Sequence, residues 1–229
     1  MKIPFIDIHT HHSGNSDQVI TVQNLFLQEI DFSSGINSPF SAAIHPWHSS
    51  RFEMNEVSDM LDKLLTQKNF LAIGETGLDK VCAADYNHQR RIFELQLDFA
   101  ETNHKPLIIH AVKSWNDLIP ILKRTKIPCI LHGYAEGITL TRQFIELGCY
   151  FSLGKSLFQV APRILEAIQI IPLTSLFLET DESQIPIEDV YLQFSKIRNL
   201  SLETLIIQIQ KNFNSIFTNR GNGQAMIPR

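Results

Sequence analysis

Eight short apolar runs recur along the chain, at 3–9, 19–25, 41–45, 70–75, 106–110, 128–132, 149–153 and 175–179, and nothing else constrains its fold as strongly. Runs such as LIIH and CILH do not alternate with polar residues. That is the pattern of strands covered on both faces in a parallel sheet. Between the later runs the period changes to that of a helix. Within 53–66, Met54, Val57, Met60, Leu61, Leu64 and Leu65 fall on one face, and 89–102 repeats the pattern with Ile92, Phe93, Leu95, Gln96, Phe99 and Ala100. Further helices are expected over 114–124, 137–147, 161–169 and 201–213. Lys105-Pro106, Ile127-Pro128 and Leu147-Gly148 supply stop signals before the strands that follow. Eight strands alternating with helices predict the α/β class and a (β/α)8 TIM barrel. The first crossovers depart from it. Residues 12–18 and 26–40 are polar, carry Gly14, Gly35 and Pro39 and have no helical period, so a distorted barrel with shortened first crossovers is expected. A single barrel domain over 1–217 and a loosely held tail over 218–229 complete the expectation.

Composition removes several classes of function. At 44% hydrophobic and 19% charged residues the 229-residue chain can bury a core, which excludes intrinsic disorder. A formal net charge of −4 excludes a general basic coat for nucleic acid, though not a local phosphate site. No apolar run reaches the roughly 18–20 residues that a membrane span needs. The opening MKIPFIDIHTHH turns polar too early for a secretory signal. Cys82, Cys129 and Cys149 form no C-x-x-C pair, lack an adjacent base and read as reduced packing residues, so a cytoplasmic location is expected, with no obligate protein partner evident.

The chemistry is carried by what closes the strands. His9 and His11 close the first, Glu75 the fourth, His110 the fifth, His132 the sixth and Asp181 the eighth. In a (β/α)8 barrel the C-terminal strand ends share one rim, where active sites collect. Imidazole nitrogens and carboxylate oxygens with no competing thiolate suit a divalent ion such as zinc or manganese. His9 and His11 are two apart on a strand and therefore point to the same side. Asp7 shares that side and reads as a partner that orients a ligating histidine. A carboxylate between histidine pairs can bridge two ions, and a two-metal site stabilises both attacking and leaving oxygens of a phosphate ester.

Taken in order, Asp7-Ile8-His9-Thr10-His11, Ile44-His45-Pro46, Gly74-Glu75-Thr76-Gly77-Leu78-Asp79, Ile108-Ile109-His110, Leu131-His132-Gly133 and Leu178-Glu179-Thr180-Asp181 resemble the TatD family of metal-dependent hydrolases, within the amidohydrolase superfamily. The likeness covers roughly 3–217, with softer matches at Gln89, Phe93, Gln96-Leu97 and 150–154. It implies that His9, His11 and Asp181 hold one divalent metal ion, that His110 and His132 hold a second, and that Glu75 bridges the two, with magnesium, manganese or zinc as the ion. It also implies that Asp181 orients or deprotonates a metal-activated water. His45 would contact the scissile phosphate, and the activity would be that of a deoxyribonuclease, a 3′→5′ exonuclease on DNA. Three departures stand out. Many relatives place an arginine shortly after the fifth-strand histidine, whereas His110 is followed by Ala111-Val112-Lys113, so that phosphate contact is lost or passes to Lys113. The segment 182–189 is short and acidic, and the third-strand motif reads His45-Pro46-Trp47-His48. These changes at the rim give weight to an alternative within the same chemistry, a hydrolase of a small amide, ester or phosphate ester.

Overall fold

A computed structural model describes residues 3–14 and 16–217. All eight expected strands form: β1 (Phe5–Thr10), β2 (Val19–Phe26), β3 (Phe40–Ala43), β4 (Phe70–Asp79), β5 (Leu107–Val112), β6 (Cys129–Leu131), β7 (Tyr150–Leu153) and β8 (Leu176–Leu178). The six expected helices are α1 (Met54–Leu64), α2 (Tyr86–Thr102), α3 (Trp115–Leu122), α4 (Ile138–Glu146), α5 (Pro162–Ile170) and α7 (Leu202–Phe217). A further helix, α6 (Ile187–Arg198), was not expected. Between β2 and β3 the chain makes only a 3-10 turn over Leu27–Glu29, in keeping with a shortened crossover. The expected tail at 218–229 lies outside the described residues. Among them, no helix is long and apolar enough to cross a membrane.

By density of contacts the chain forms two compact units, Gln23–Leu131 and Met1–Val22 with His132–Arg229. In the first, β2, β3, β4, β5 and β6 pair in parallel, each with the next. Phe40, Phe70, Ile73, Phe93, Ile108 and Ile130 are fully buried there. A capping box between Glu53 and Glu56 starts α1, and Val57, Leu61 and Leu64 form its buried face. Asp85 accepts a bond from His88 N and starts α2 three residues before the apolar period does. The register of β4 against β5 shifts between Ile73 and Thr76, so that three steps on β4 match two on β5. Such bulges re-aim a side chain, and this one flanks Glu75. Beyond it Gly77 faces His110, where an added Cβ would lie 1.9 Å from the His110 carbonyl oxygen. Only glycine fits that approach.

In the second unit β7 pairs in parallel with β8, and Thr10 bridges to Asp181. Ile6, Ile8, Phe144, Phe151, Phe177, Tyr191 and Phe194 fill its core. The helix α6 buries Ile187, Val190, Tyr191 and Phe194, an i, i+3, i+4, i+7 stripe. Its first turn contains Glu188 and Asp189, where the helix N-terminus favours acidic side chains. Half of the apparent acidic rim at 182–189 is therefore the start of a helix, with Pro186 as its cap.

Candidate metal-binding site

In the unit formed by Met1–Val22 and His132–Arg229, the backbone makes the site. Asp181 N donates to His9 O at 2.9 Å, and His11 N donates to Asp181 O at 3.1 Å. Asp181 is thus clasped between His9 of β1 and His11 just beyond its end. It takes a left-handed conformation with φ 55°, which aspartate adopts more readily than most residues. Its Oδ1 lies 3.8 Å from His9 Nε2 and 3.7 Å from His11 Nε2, and Lys155 Nζ is 3.8 Å from its other oxygen. Donor atoms of all three residues fall within 4.8 Å of one another. His9 is fully buried, with the His132 ring 4.4 Å away, centroid to centroid.

Two carboxylates brace this group. Glu179 Oε1 accepts a bond from Gly133 N at 2.6 Å and lies 3.5 Å from His132 Nδ1. Burial pushes the Glu179 pKa up, but His132 and His9 outweigh it and hold the carboxyl below the usual range. A carboxylate against Nδ1 orients the ring and favours the tautomer whose lone pair is on Nε2, the nitrogen suited to a metal. Asp7, 4% exposed, accepts from Thr180 N at 3.0 Å and from the Thr180 hydroxyl at 2.6 Å, which ties β1 to the residue before Asp181. Burial raises its pKa to about 7. A cavity of about 250 Å³ in this unit is lined by Asp7, Thr10, His12, Thr21, Thr180 and Gln184, among others.

In the unit Gln23–Leu131, side chains make the site. Glu75 Oε1 lies 2.6 Å from His110 Nδ1 and 3.3 Å from His45 Nε2, with the two rings 4.5 Å apart. Donor atoms of these three also fall within 4.8 Å. Asp79 stands behind His110, its Oδ2 3.5 Å from Nε2. It accepts from Trp47 Nε1 at 2.7 Å, Val81 N at 2.7 Å and Cys82 N at 3.2 Å. Burial opposes ionisation of Asp79, and those donors with His110 more than reverse it, so its pKa is lowered.

Two glutamines of α2 then fix the strand ends. Gln96 accepts from Ile44 N and donates to Ile44 O and to the Thr76 hydroxyl, at 2.7, 3.1 and 2.6 Å. Gln89 accepts from Asp79 N at 2.8 Å and donates to Asp79 O at 3.0 Å.

The expected residues fall as follows. His9, His11 and Asp181 share one group, and His132 lies against His9. Glu75 and His110 share another, together with His45. Lys113 follows β5 directly, exposed and at φ 53°. Sequence reasoning gave no role to Glu179, Asp79 or Trp47. Alternation could have found two of them, since Asp79 lies an even number of residues from Glu75, and Glu179 two from Asp181. Imidazole and carboxylate donors, buried and convergent without a thiolate, fit a hard or borderline divalent ion.

Over residues 23–218 the chain matches the family model described as TatD related DNase. A metal-dependent hydrolase of Buchnera aphidicola subsp. Baizongia pistaciae is 32% identical over 199 residues, 79% of this chain and 74% of that one. The metal-dependent hydrolase YcfH of Escherichia coli K12 is 26% identical over 199 residues, with the same coverage of 79% and 74%. Among solved structures, the TatD homologue YjjV of Escherichia coli K12 superposes with a TM-score of 0.78 at 20% identity, over 93% of this chain and 97% of that one. A TatD family hydrolase of Entamoeba histolytica gives 0.76 at 16% identity, over 95% and 99%. At these identities the solved structures carry the fold alone, and the fold is the (β/α)8 barrel that the strand count predicts.

Proposed function

The chain belongs to the family of TatD-related DNases and is a metal-dependent hydrolase, and from that premise we propose that it cleaves phosphodiester bonds of DNA, removing nucleotides from the 3′ end. The observation that carries the reading is the convergence of histidine and carboxylate donors at strand ends, His9 and His11 on Asp181 and His110 on Glu75. We assign His9, His11 and Asp181 to one divalent ion and Glu75 with His110 to a second, with His132 as a further ligand turned by Glu179. When bound, the ions supply Lewis acidity and a water acidic enough to ionise near neutral pH. Asp181, 3.8 Å from Lys155, would take up the proton of the attacking water. His45, 3.3 Å from Glu75, faces the scissile phosphate, and Lys113 supplies a cation past the end of β5. The family description as a DNase supports DNA as the substrate.

The test is hydrolysis of 3′-labelled single-stranded DNA by protein reconstituted with magnesium, manganese or zinc, beside His132→Ala and Asp181→Ala. Metal-dependent shortening should fall at least about a hundredfold in each variant. Shortening that needs no metal, or that survives both substitutions, refutes the reading. The net charge of −4 favours one competitor, a small amide, ester or phosphate ester. Bound metal with hydrolysis of such a compound and none of DNA would establish it.

A further inference from the structure

Trp47 is 52% exposed, yet two hydrogen bonds and two ring contacts hold it in place. It follows Pro46 in a 3-10 turn, and its backbone N–H donates to His45 Nδ1 at 3.2 Å. Its indole N–H donates to Asp79 at 2.7 Å. The ring stands edge-to-face against His45 at 4.7 Å and against His110 at 6.2 Å. Asp79 also anchors the backbone of Val81, which is 62% exposed. A large apolar side chain is therefore fixed beside the Glu75 group and left half open to solvent. Leaving an indole in water is unfavourable, and fixing it there does not by itself strengthen the core.

We infer that the open face of Trp47 is a stacking platform for a nucleobase of the single-stranded substrate. The inference rests on the phosphodiesterase reading above and names the part of the substrate that this side of the site receives. Two observations select a base over other occupants. The ring touches His45 and His110, so whatever stacks on it lies next to the group assigned to the phosphate. The chain also carries four more acidic than basic residues, so beyond the local phosphate site affinity for a polyanion gains little from charge and more from other contacts. Stacking meets that need, because every base has a π-face and the interaction is largely indifferent to sequence.

Two measurements test it. The first is tryptophan fluorescence of the metal-free protein titrated with a thymidine dinucleotide. The only other tryptophan, Trp115, is 6% exposed, so quenching reads Trp47, and Trp47→Phe supplies the blank. Saturable quenching in the wild type and none in the blank is expected; no quenching in the wild type overturns the inference. The second compares kcat/KM on an ordinary oligonucleotide with that on one whose 3′-terminal sugars lack bases. Phenylalanine and alanine at position 47 both lose the bond to Asp79, so the difference between them isolates the ring face. The preference for the base-bearing substrate should be about 5- to 100-fold weaker in Trp47→Ala than in Trp47→Phe, the range of one base–aromatic stack. Equal preferences in the two variants overturn the inference. Should the wild type hydrolyse neither substrate with magnesium, manganese or zinc, the phosphodiesterase reading fails, and the quenching result still decides whether Trp47 stacks a base.

Discussion

The two histidine–carboxylate groups reach similar convergence by different means. Around Asp181 the backbone does the positioning, because His9 O and His11 N hold the aspartate between them and the side chains have little choice. Around Glu75 the backbone supplies the bulge in β4 and the close approach of Gly77 to His110. The geometry there depends on side chains from a distance, Gln96 and Gln89 from α2, Asp79 at the end of β4, and Trp47 after β3. A group made largely by backbone pairing depends first on strand order and alternation. One made by side chains fails when any single brace is removed. The two should therefore respond differently to mutation.

The largest effect is expected where backbone contact is tightest. In Gly77→Ala the new methyl would meet the His110 carbonyl oxygen at 1.9 Å, and Gly77 is also at φ 149°, so β4 and β5 cannot keep their register. Urea unfolding should show a loss of at least about 4 kcal/mol, or no folded protein at all. Gly14→Ala is the control. It shares a positive φ of 146°, but its added Cβ meets nothing within 4 Å, and the loss there should be about 1 kcal/mol. Comparable losses in the two variants would show that conformational strain, rather than the approach to His110, makes Gly77 necessary.

Gln96→Leu tests the dependence on side chains directly. The substitution keeps the volume, but leaves Ile44 N–H and C=O without their partner in a buried site. A loss of about 3 kcal/mol is expected in the same assay, since each unsatisfied buried group costs about 1–3 kcal/mol. A loss under about 1 kcal/mol would mean that the strand end after β3 holds itself. Glu179→Gln probes the backbone-built group more gently. The amide oxygen still accepts from Gly133 N, but the charge beside His132 is gone. Zinc affinity, measured by competition with a chelator, should fall about 10- to 100-fold with the fold intact. Unchanged affinity would remove Glu179 from the site.

The same contrast explains what could be read in the chain beforehand. Strand count, helix order and the ends marked by His9, His11, Glu75, His110 and His132 follow from local periodicity, which sequence displays directly. The convergence of His11 and Asp181 needs only the parallel order of β1 and β8. Trp47, Asp79 and Gln96 were not legible, because their partners lie 32, 31 and 52 residues away and are defined by packing. Gln96 sat among the apolar positions of α2 and looked like part of its buried face. It is part of that face, but for its amide. The helix α6 is hard to read in the chain for another reason: the acidic first turn at Glu188 and Asp189 interrupts the apolar stripe that runs from Ile187 to Phe194.

The smallest effect concerns a group outside both clusters, and it separates burial from site building. Cys149 lies just before β7, 3% exposed, and burial raises its thiol from the ordinary value of 9.0 to about 12. A folded pKa above the unfolded one gives stability that is complete below pH 9 and is lost as pH rises toward 12. Between pH 8 and 10 the wild type should therefore lose about 1 kcal/mol more than Cys149→Ala, read from urea midpoints at each pH. Buried Tyr134, whose pKa is raised in part by the neighbouring Cys149, shifts in the same direction, but an unfolded tyrosine ionises only near pH 10. It therefore adds to the decline only above that point. Cys82 makes the comparison. It is half-buried beside Asp79, with its thiol donating to the Asp79 carbonyl at 3.5 Å. Alkylation at pH 8 should label Cys82 and leave Cys149 untouched until urea unfolds the chain. Labelling of Cys149 in the native protein would mean that the segment entering β7 opens far more readily than its burial implies.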